Sequence, residues 1–237
     1  MPIAILAGDV LFSKAFQIIS ESKLSPNANT HLISRLAKAC VDVCEGQLLD
    51  IKMADEKRIP TEAEYIAMIG KKTAALFDVS CAMGAICATN KPKDISNLSD
   101  FGRNLGIAFQ LQDDYLDAYG NPLTFGKQVG GDIIANKKTF LYLTALQKST
   151  HSEAQELSSL FATMPKDPSD KITAVKEIFV SSGAAKATED EIVRYTNTSI
   201  SLLQDIKISQ QHKDTLKSFA DFLMNFPQIV EYAPQRY

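Results

Sequence analysis

The sequence predicts an all-α protein. Apolar residues return every three to four positions through most of the chain, no run alternates apolar with polar side chains, and the breaks carry helix-start and helix-stop residues. From Ile3 to Ile19 the stripe is Leu6, Val10, Leu11, Ala15, Phe16 and Ile19. Asn27 to Thr30 read as turn and cap, followed by a second helix through Leu32, Leu36, Cys40, Val43 and Leu48. Thr61 with Glu64 has the spacing of a capping box and opens a third helix running to about Ala88. Lys91-Pro92 ends it, and a fourth covers roughly Ile95 to Ala118. Four glycines and a proline between Gly120 and Gly131 mark an exposed loop. A fifth helix is expected from about Ile133 to Gln147, and later ones at Ser152–Ala162, Ser169–Val180, Ala184–Ile206 and Gln211–Asn225. Without repeats or low-complexity linkers, residues 1–237 read as one domain.

Composition narrows the functional classes. A hydrophobic share of 45% and a charged share of 22% suit a packed globular chain rather than a disordered one. With 25 Lys+Arg against 28 Asp+Glu and no basic stripe, a nucleic-acid partner is not expected. No stretch reaches the ~18 uninterrupted apolar residues of a membrane span, so none is expected. Met1-Pro2-Ile3-Ala4 does not open a signal peptide. Cys40, Cys44, Cys81 and Cys87 read as reduced, buried thiols of a cytoplasmic protein rather than a metal site. His31, His151 and His212 are scattered, which leaves no zinc-hydrolase pattern.

The densest chemical signal is Phe109-Gln110-Leu111-Gln112-Asp113-Asp114-Tyr115-Leu116-Asp117. On a helix Asp113 and Asp117 lie one above the other, Asp114 projects ~100° from Asp113, and Gln110 shares the broad face. Such a cluster needs a counter-charge, because like charges four residues apart repel. Oxygen ligands suit a hard cation, and Mg²⁺ typically takes one or two carboxylates plus waters and phosphate oxygens. The bland alternative is a solvated acidic face with Lys or Arg neighbours. Downstream, Lys127, Asp132, Lys137 and Lys138 follow across the glycine-rich segment, and ammonium groups opposite Mg²⁺ would neutralise a departing diphosphate. Gly126-Lys127 lacks the spacing of a P-loop, and the acids lack the order of an EF-hand.

Gln110-x-x-Asp113-Asp114-x-x-Asp117, with Gly126-Lys127-x-x-Gly130-x-Asp132 and Lys137, resembles the second aspartate-rich motif of the polyprenyl synthases, the trans-isoprenyl diphosphate synthases. Leu6-Ala7-Gly8-Asp9 before Ala15-Phe16, Gly46-Gln47-x-x-Asp50 and Lys72-Thr73 resemble further segments of that family. The resemblance implies an antiparallel helical bundle of the isoprenoid-synthase type around a central cavity. It implies that Asp113, Asp114 and Asp117 hold Mg²⁺ with Asp132 supporting them. Lys72, Lys127 and Lys137 would neutralise the allylic diphosphate, Thr73 and Gln110 would lie near the allylic cation, and Gln47 and Asp50 would line the same cavity. The implied reaction condenses an allylic prenyl diphosphate with isopentenyl diphosphate and needs no protein nucleophile. A homodimer is implied too, with Phe101–Ala108 and Ile66–Leu76 as its apolar surface.

The family's first aspartate-rich motif precedes the Leu-Ala-Gly-Asp segment, so the chain reads as N-terminally truncated relative to the family. The expectation is that it binds Mg²⁺ and an allylic diphosphate but condenses poorly by itself. A non-catalytic partner subunit of a full-length synthase is the alternative. A terpene cyclase is disfavoured, because Asn-Asp-x-x-Ser-x-x-x-Glu is absent.

Overall fold

A computed structural model describes residues 2–89, 91–121 and 129–229. Its elements are α1 (Pro2–Ser20), α2 (Pro26–Asp55), α3 (Glu62–Ile69), a π-helical turn (Gly70–Ala74), α4 (Ala75–Ala88) and α5 (Pro92–Tyr119). There follow α6 (Gly131–Ile134), α7 (Phe140–Lys148), α8 (His151–Leu160), α9 (Ser169–Ser181), α10 (Ala184–Leu202) and α11 (Gln210–Ile229). No strand occurs among the described residues, as the periodicity predicts.

The starts of these helices follow local chemistry. Ser25 caps α2 by accepting from the Ala28 N–H, and Pro26 takes the first turn, where a missing N–H costs nothing. Asn27–Thr30 therefore lie inside the helix, not before it. Pro92 likewise starts α5 earlier than Ile95. The Thr61–Glu64 capping box forms as its spacing predicts. Glu64 also accepts from Arg58 and from the Thr61 backbone, and these bonds hold its carboxyl at about 2, the Arg58 bond foremost. That value lies below the ordinary 4.5, so the stabilisation is complete above the ordinary value and disappears as pH falls toward the folded one. Glu64→Gln keeps the box without the charge. It is expected to shrink the drop in urea midpoint between about pH 5 and about pH 3. An unchanged drop would show that the charge contributes nothing.

Two expected elements differ. The helix from Thr61 to Ala88 is interrupted by the π turn at Gly70–Ala74. The expected Ile133–Gln147 helix is two helices, because Asn136 adopts φ 55° and turns the chain between α6 and α7.

Helices approach closely where glycine lines the contact. A Cβ on Gly106 of α5 would sit 2.6 Å from Ala74 Cα, and one on Gly46 of α2 would sit 2.7 Å from Lys72 Cα. The π turn is thus held between α2 and α5 at backbone-to-backbone distance. The main core joins α3, α5, α7, α9 and α10 through Tyr65, Met68, Leu111, Leu141, Leu143, Val175 and Phe179, and a second cluster seats α11 on Phe101 and Leu105. Phe101, Leu105 and Ala108 are therefore fully buried within the chain. They offer no surface to a second copy, contrary to expectation. Of the Ile66–Leu76 stretch, Leu76 stands half exposed while Met68 and Ile69 are buried.

The open apolar surface lies elsewhere. Ile3, Leu6, Val10 and Leu11 of α1 and Val41, Leu48 and Ile51 of α2 are each at least half exposed. Ile3–Ser20 is also long and apolar enough, by length and composition alone, to cross a membrane, although Asp9 and Lys14 leave no uninterrupted apolar run in it. All four cysteines are free, but Cys44 and Cys87 are exposed rather than buried, since each lies on the outward side of its helix.

Candidate active site

The acids of α5 lie beside the π turn. Asp114 is 2% exposed, while Asp113 and Asp117 are half-buried, which rules out a solvated acidic face. Both Asp114 oxygens are engaged. Tyr65 donates its hydroxyl to Oδ2, Gln110 donates to Oδ1 at 3.1 Å, and Lys137 Nζ lies 3.5 Å from Oδ1. Burial pushes the Asp114 carboxyl up to about 6, with Asp132 adding to the rise and Lys137 opposing it. Both Asp114 oxygens thus have partners within the protein, which ties α5 to α3 and to Lys137. Tyr65, 1% exposed, is the residue that sequence reading missed: an aromatic at an inward position of α3 looks like plain core until Asp114 is found on its hydroxyl.

Gln110 extends the network. Its Oε1 accepts from Thr73 Oγ1 at 2.6 Å, so Thr73, Gln110 and Asp114 form one hydrogen-bonded chain from the π turn into α5. Lys72, next in the turn, pairs with Asp50 of α2, both side chains partly exposed. Gln47 stands exposed on α2, three residues before Asp50.

Lys137 closes the site from the other side. Its ammonium lies 3.3 Å from Asp132 and 3.5 Å from Asp114. Burial opposes its charge, but those two carboxylates outweigh burial and hold its pKa above the ordinary lysine range. Asp117 accepts the Asp132 N–H at 2.8 Å on Oδ2, and its backbone carbonyl accepts the Gly130 N–H at 2.6 Å. Gly130, at φ +81°, allows the chain to turn that tightly onto α5. Burial also raises the Asp117 carboxyl. Asp114, Asp117, Asp132, Lys137 and Thr139 line one small pocket. The wider groove, about 790 Å³, runs instead past His31, Arg35, Lys38 and Thr89 on α2 and α4, away from these acids.

Of the residues singled out from sequence, Lys72, Thr73, Asp50, Gln110, Asp113, Asp114 and Asp117 lie on the π turn and on α2 and α5 packed against it. Asp132 and Lys137 lie on the α6 segment packed on α5. Lys127 falls outside the described residues. Lys138, adjacent to Lys137, faces away and donates to the carbonyls of Met53, Glu56 and Arg58, capping the C-terminus of α2. Among the described residues, no three acids or imidazoles are gathered closely enough to hold a metal by themselves. The donors present are nevertheless oxygen atoms on two half-buried carboxylates one turn apart, Asp113 and Asp117. That set fits Mg²⁺ completing its shell with water and phosphate oxygens.

The polyprenyl synthetase family profile matches residues 1–178. The chain belongs to that family. A short chain isoprenyl diphosphate synthase of Methanothermobacter thermautotrophicus is 37% identical over 228 residues, covering 94% of this chain and 67% of the relative. A relative with the same name from Methanocaldococcus jannaschii is 40% identical over 156 residues, 66% of this chain and 47% of its own length. The chain thus spans between about half and two thirds of the polyprenyl synthetases it matches. A crystal structure of a geranylgeranyl pyrophosphate synthase superposes with a TM-score of 0.87 at 37% identity, covering 93% of this chain and 68% of that one. The Corynebacterium glutamicum geranylgeranyl pyrophosphate synthase, complexed with isoprenyl diphosphate and magnesium, gives a TM-score of 0.83 at 28% identity, covering 95% and 63%. Family membership agrees with the all-α fold and with the motif around Asp113.

Proposed function

We propose that the chain carries the allylic-diphosphate half of a trans-prenyltransferase, which condenses an allylic prenyl diphosphate with isopentenyl diphosphate to a longer linear product. The supporting observation is the pair between buried Asp114 and partly exposed Lys137, flanked by Asp113 and Asp117 and joined to Thr73 through Gln110. Asp113 and Asp117 would hold Mg²⁺, which supplies positive charge against the diphosphate and so favours its departure. Lys137 and Lys72 neutralise that departing group, and Lys127 joins them by its place in the motif. The allylic C–O bond breaks and its electron pair leaves with the diphosphate. Thr73 and Gln110 set polar contacts beside the resulting cation, and Gln47 and Asp50 line the approach from α2. The C=C of isopentenyl diphosphate supplies the electrons of the new C–C bond, and the released diphosphate takes the proton.

The same reading carries a homodimer, for which the exposed apolar residues of α1 and α2 supply a surface. It also carries a cytoplasmic setting, where free cysteines persist.

Radiolabelled isopentenyl diphosphate mixed with farnesyl diphosphate and Mg²⁺ tests the proposal. Mg²⁺-dependent binding of inorganic diphosphate is expected and should vanish with chelator, while little label is expected in a longer prenyl diphosphate from the chain by itself. Transfer only after a full-length relative is added would favour the partner-subunit reading. No transfer under either condition, with no Mg²⁺-dependent binding of inorganic diphosphate, would overturn the assignment.

A further inference from the structure

Lys171 is a buried cation that forms no ion pair with a carboxylate among the described residues. It is 4% exposed, in the first turn of α9, and donates to Asn136 Oδ1 and to the Thr163 carbonyl at 2.9 Å, with its ammonium 5.6 Å from the centre of the Phe161 ring. Asn136 Nδ2 reaches the same Thr163 carbonyl at 3.3 Å. A lysine is rarely buried without a compensating partner. Here the partners are one amide, one carbonyl and one ring.

Asn136 is the one non-glycine residue with positive φ among those described. The α6 end it terminates is a Schellman motif: the Lys137 N–H reaches the Asp132 carbonyl at 2.9 Å, and the Asn136 N–H reaches the Ile133 carbonyl at 3.2 Å. That motif needs a left-handed residue at the position Asn136 occupies, most often glycine. The residue after it, here Lys137, takes its direction from that turn. Lys137 is also the ammonium that meets Asp114 and Asp132.

We propose, resting on the reading of Lys137 given above, that Lys171 is a positioning residue: it clamps the Asn136 side chain, which keeps the left-handed turn closed and thereby aims Lys137 at the carboxylates. The clamp ties the α6–α7 turn to the α8–α9 loop, so two segments far apart in sequence share one hydrogen-bonded junction. A glycine at residue 136 would not need it. Lys171 touches neither the acids nor Lys137, and its effect passes through Asn136 alone.

Two readouts separate this role from a simple tether of the Thr163 carbonyl. Hydrogen exchange at the Lys137 amide, measured without ligand, reports the closed turn directly. Calorimetric titration with inorganic diphosphate and Mg²⁺ reports what the turn does for the site. Lys171→Met is expected to speed exchange at Lys137 and to weaken diphosphate binding roughly tenfold or more, as loss of a supporting partner typically does. Adding Asn136→Gly to that variant should restore slow exchange and affinity while leaving the melting temperature low, because the Thr163 carbonyl still lacks its ammonium.

A lowered melting temperature with unchanged exchange and affinity would overturn the proposal, as would a double variant that recovers neither. Should Lys171→Met not fold, Asn136→Ala against Asn136→Gly carries the test. The alanine variant is expected to lose protection at Lys137 and the glycine variant to keep it, and equal behaviour would overturn the proposal. If the exchange pattern follows expectation while the unaltered protein binds no diphosphate, the clamp stands and the reading of the site falls.

Discussion

Lys137→Met is expected to lower both stability and Mg²⁺-dependent diphosphate affinity. Lys137 is the cation between Asp114, whose side chain is 1% exposed, and Asp132, at 3.5 and 3.3 Å. Removing one member of a fully buried pair costs about 3–5 kcal/mol, because the remaining charge keeps its desolvation and loses its partner. The 29% exposure of the Lys137 side chain puts this pair at the lower end. Asp114 can offset part of that by holding a proton, since burial already raises its pKa to about 6. A loss near 3 kcal/mol, or on the order of 10 °C in melting temperature for a chain of this size, is the expectation. Affinity for inorganic diphosphate should fall by about 10²-fold, the scale on which removing one electrostatic stabiliser acts in a sheltered site.

The adjacent lysine is the control. Lys138→Met leaves three carbonyls at the end of α2 without their ammonium, so it should lose stability yet keep diphosphate affinity. Calorimetry on the two variants, with and without ligand, checks both halves. Affinity unchanged in Lys137→Met would reduce that ammonium to a counter-ion for Asp114, and the anion site would have to be sought elsewhere.

The contrast between Lys137 and Lys138 marks how far the sequence is legible. Helical spacing alone put Asp113, Asp114 and Asp117 on one face, and Thr61 with Glu64 was readable because a capping box is local. Which of two neighbouring lysines turns toward the acids was not readable. That is decided by φ at Asn136, and an Asn between Ile133 and Phe140 leaves a helical apolar period intact. Lys171 carried no signal at all, since a lysine in a first turn reads as solvated. Phe101–Ala108 was misread for a related reason. Periodicity says that a face is buried, but not whether its cover is the same chain, and here α4, α10 and α11 provide it. The π turn is equally silent in sequence. It becomes visible only when Gly46 and Gly106 are seen on either side of it.

Gly46→Ala is expected to be among the most disruptive single methyl additions in the chain. The added Cβ would lie 2.7 Å from Lys72 Cα and 2.8 Å from the Lys71 carbonyl carbon, with the Lys72 nitrogen closer still. These are backbone atoms, so no rotamer change relieves the clash. The π turn would have to back away from α2, and it cannot retreat freely, because Gly106 of α5 holds Ala74 from the other side at 2.6 Å from a would-be Cβ. Overpacking of this kind typically costs about 1–3 kcal/mol, and the upper end applies where both walls are backbone. Gly84→Ala, in α4 with nothing within 4 Å of its Cβ, is the matched control. It should gain up to about 1 kcal/mol from helix propensity. Opposite shifts in melting temperature are therefore expected from the same chemical change. The functional consequence follows from what the turn carries: Lys72 pairs with Asp50 of α2, and Thr73 donates to Gln110 of α5. Displacing the turn strains both links together, so Gly46→Ala should also weaken diphosphate binding, while Gly84→Ala leaves it unchanged. A Gly46→Ala protein that melts and binds like the unaltered chain would mean that α2 and the π turn do not pack at backbone distance. The close approach that brings Lys72 and Thr73 to the acids of α5 would then have to be abandoned.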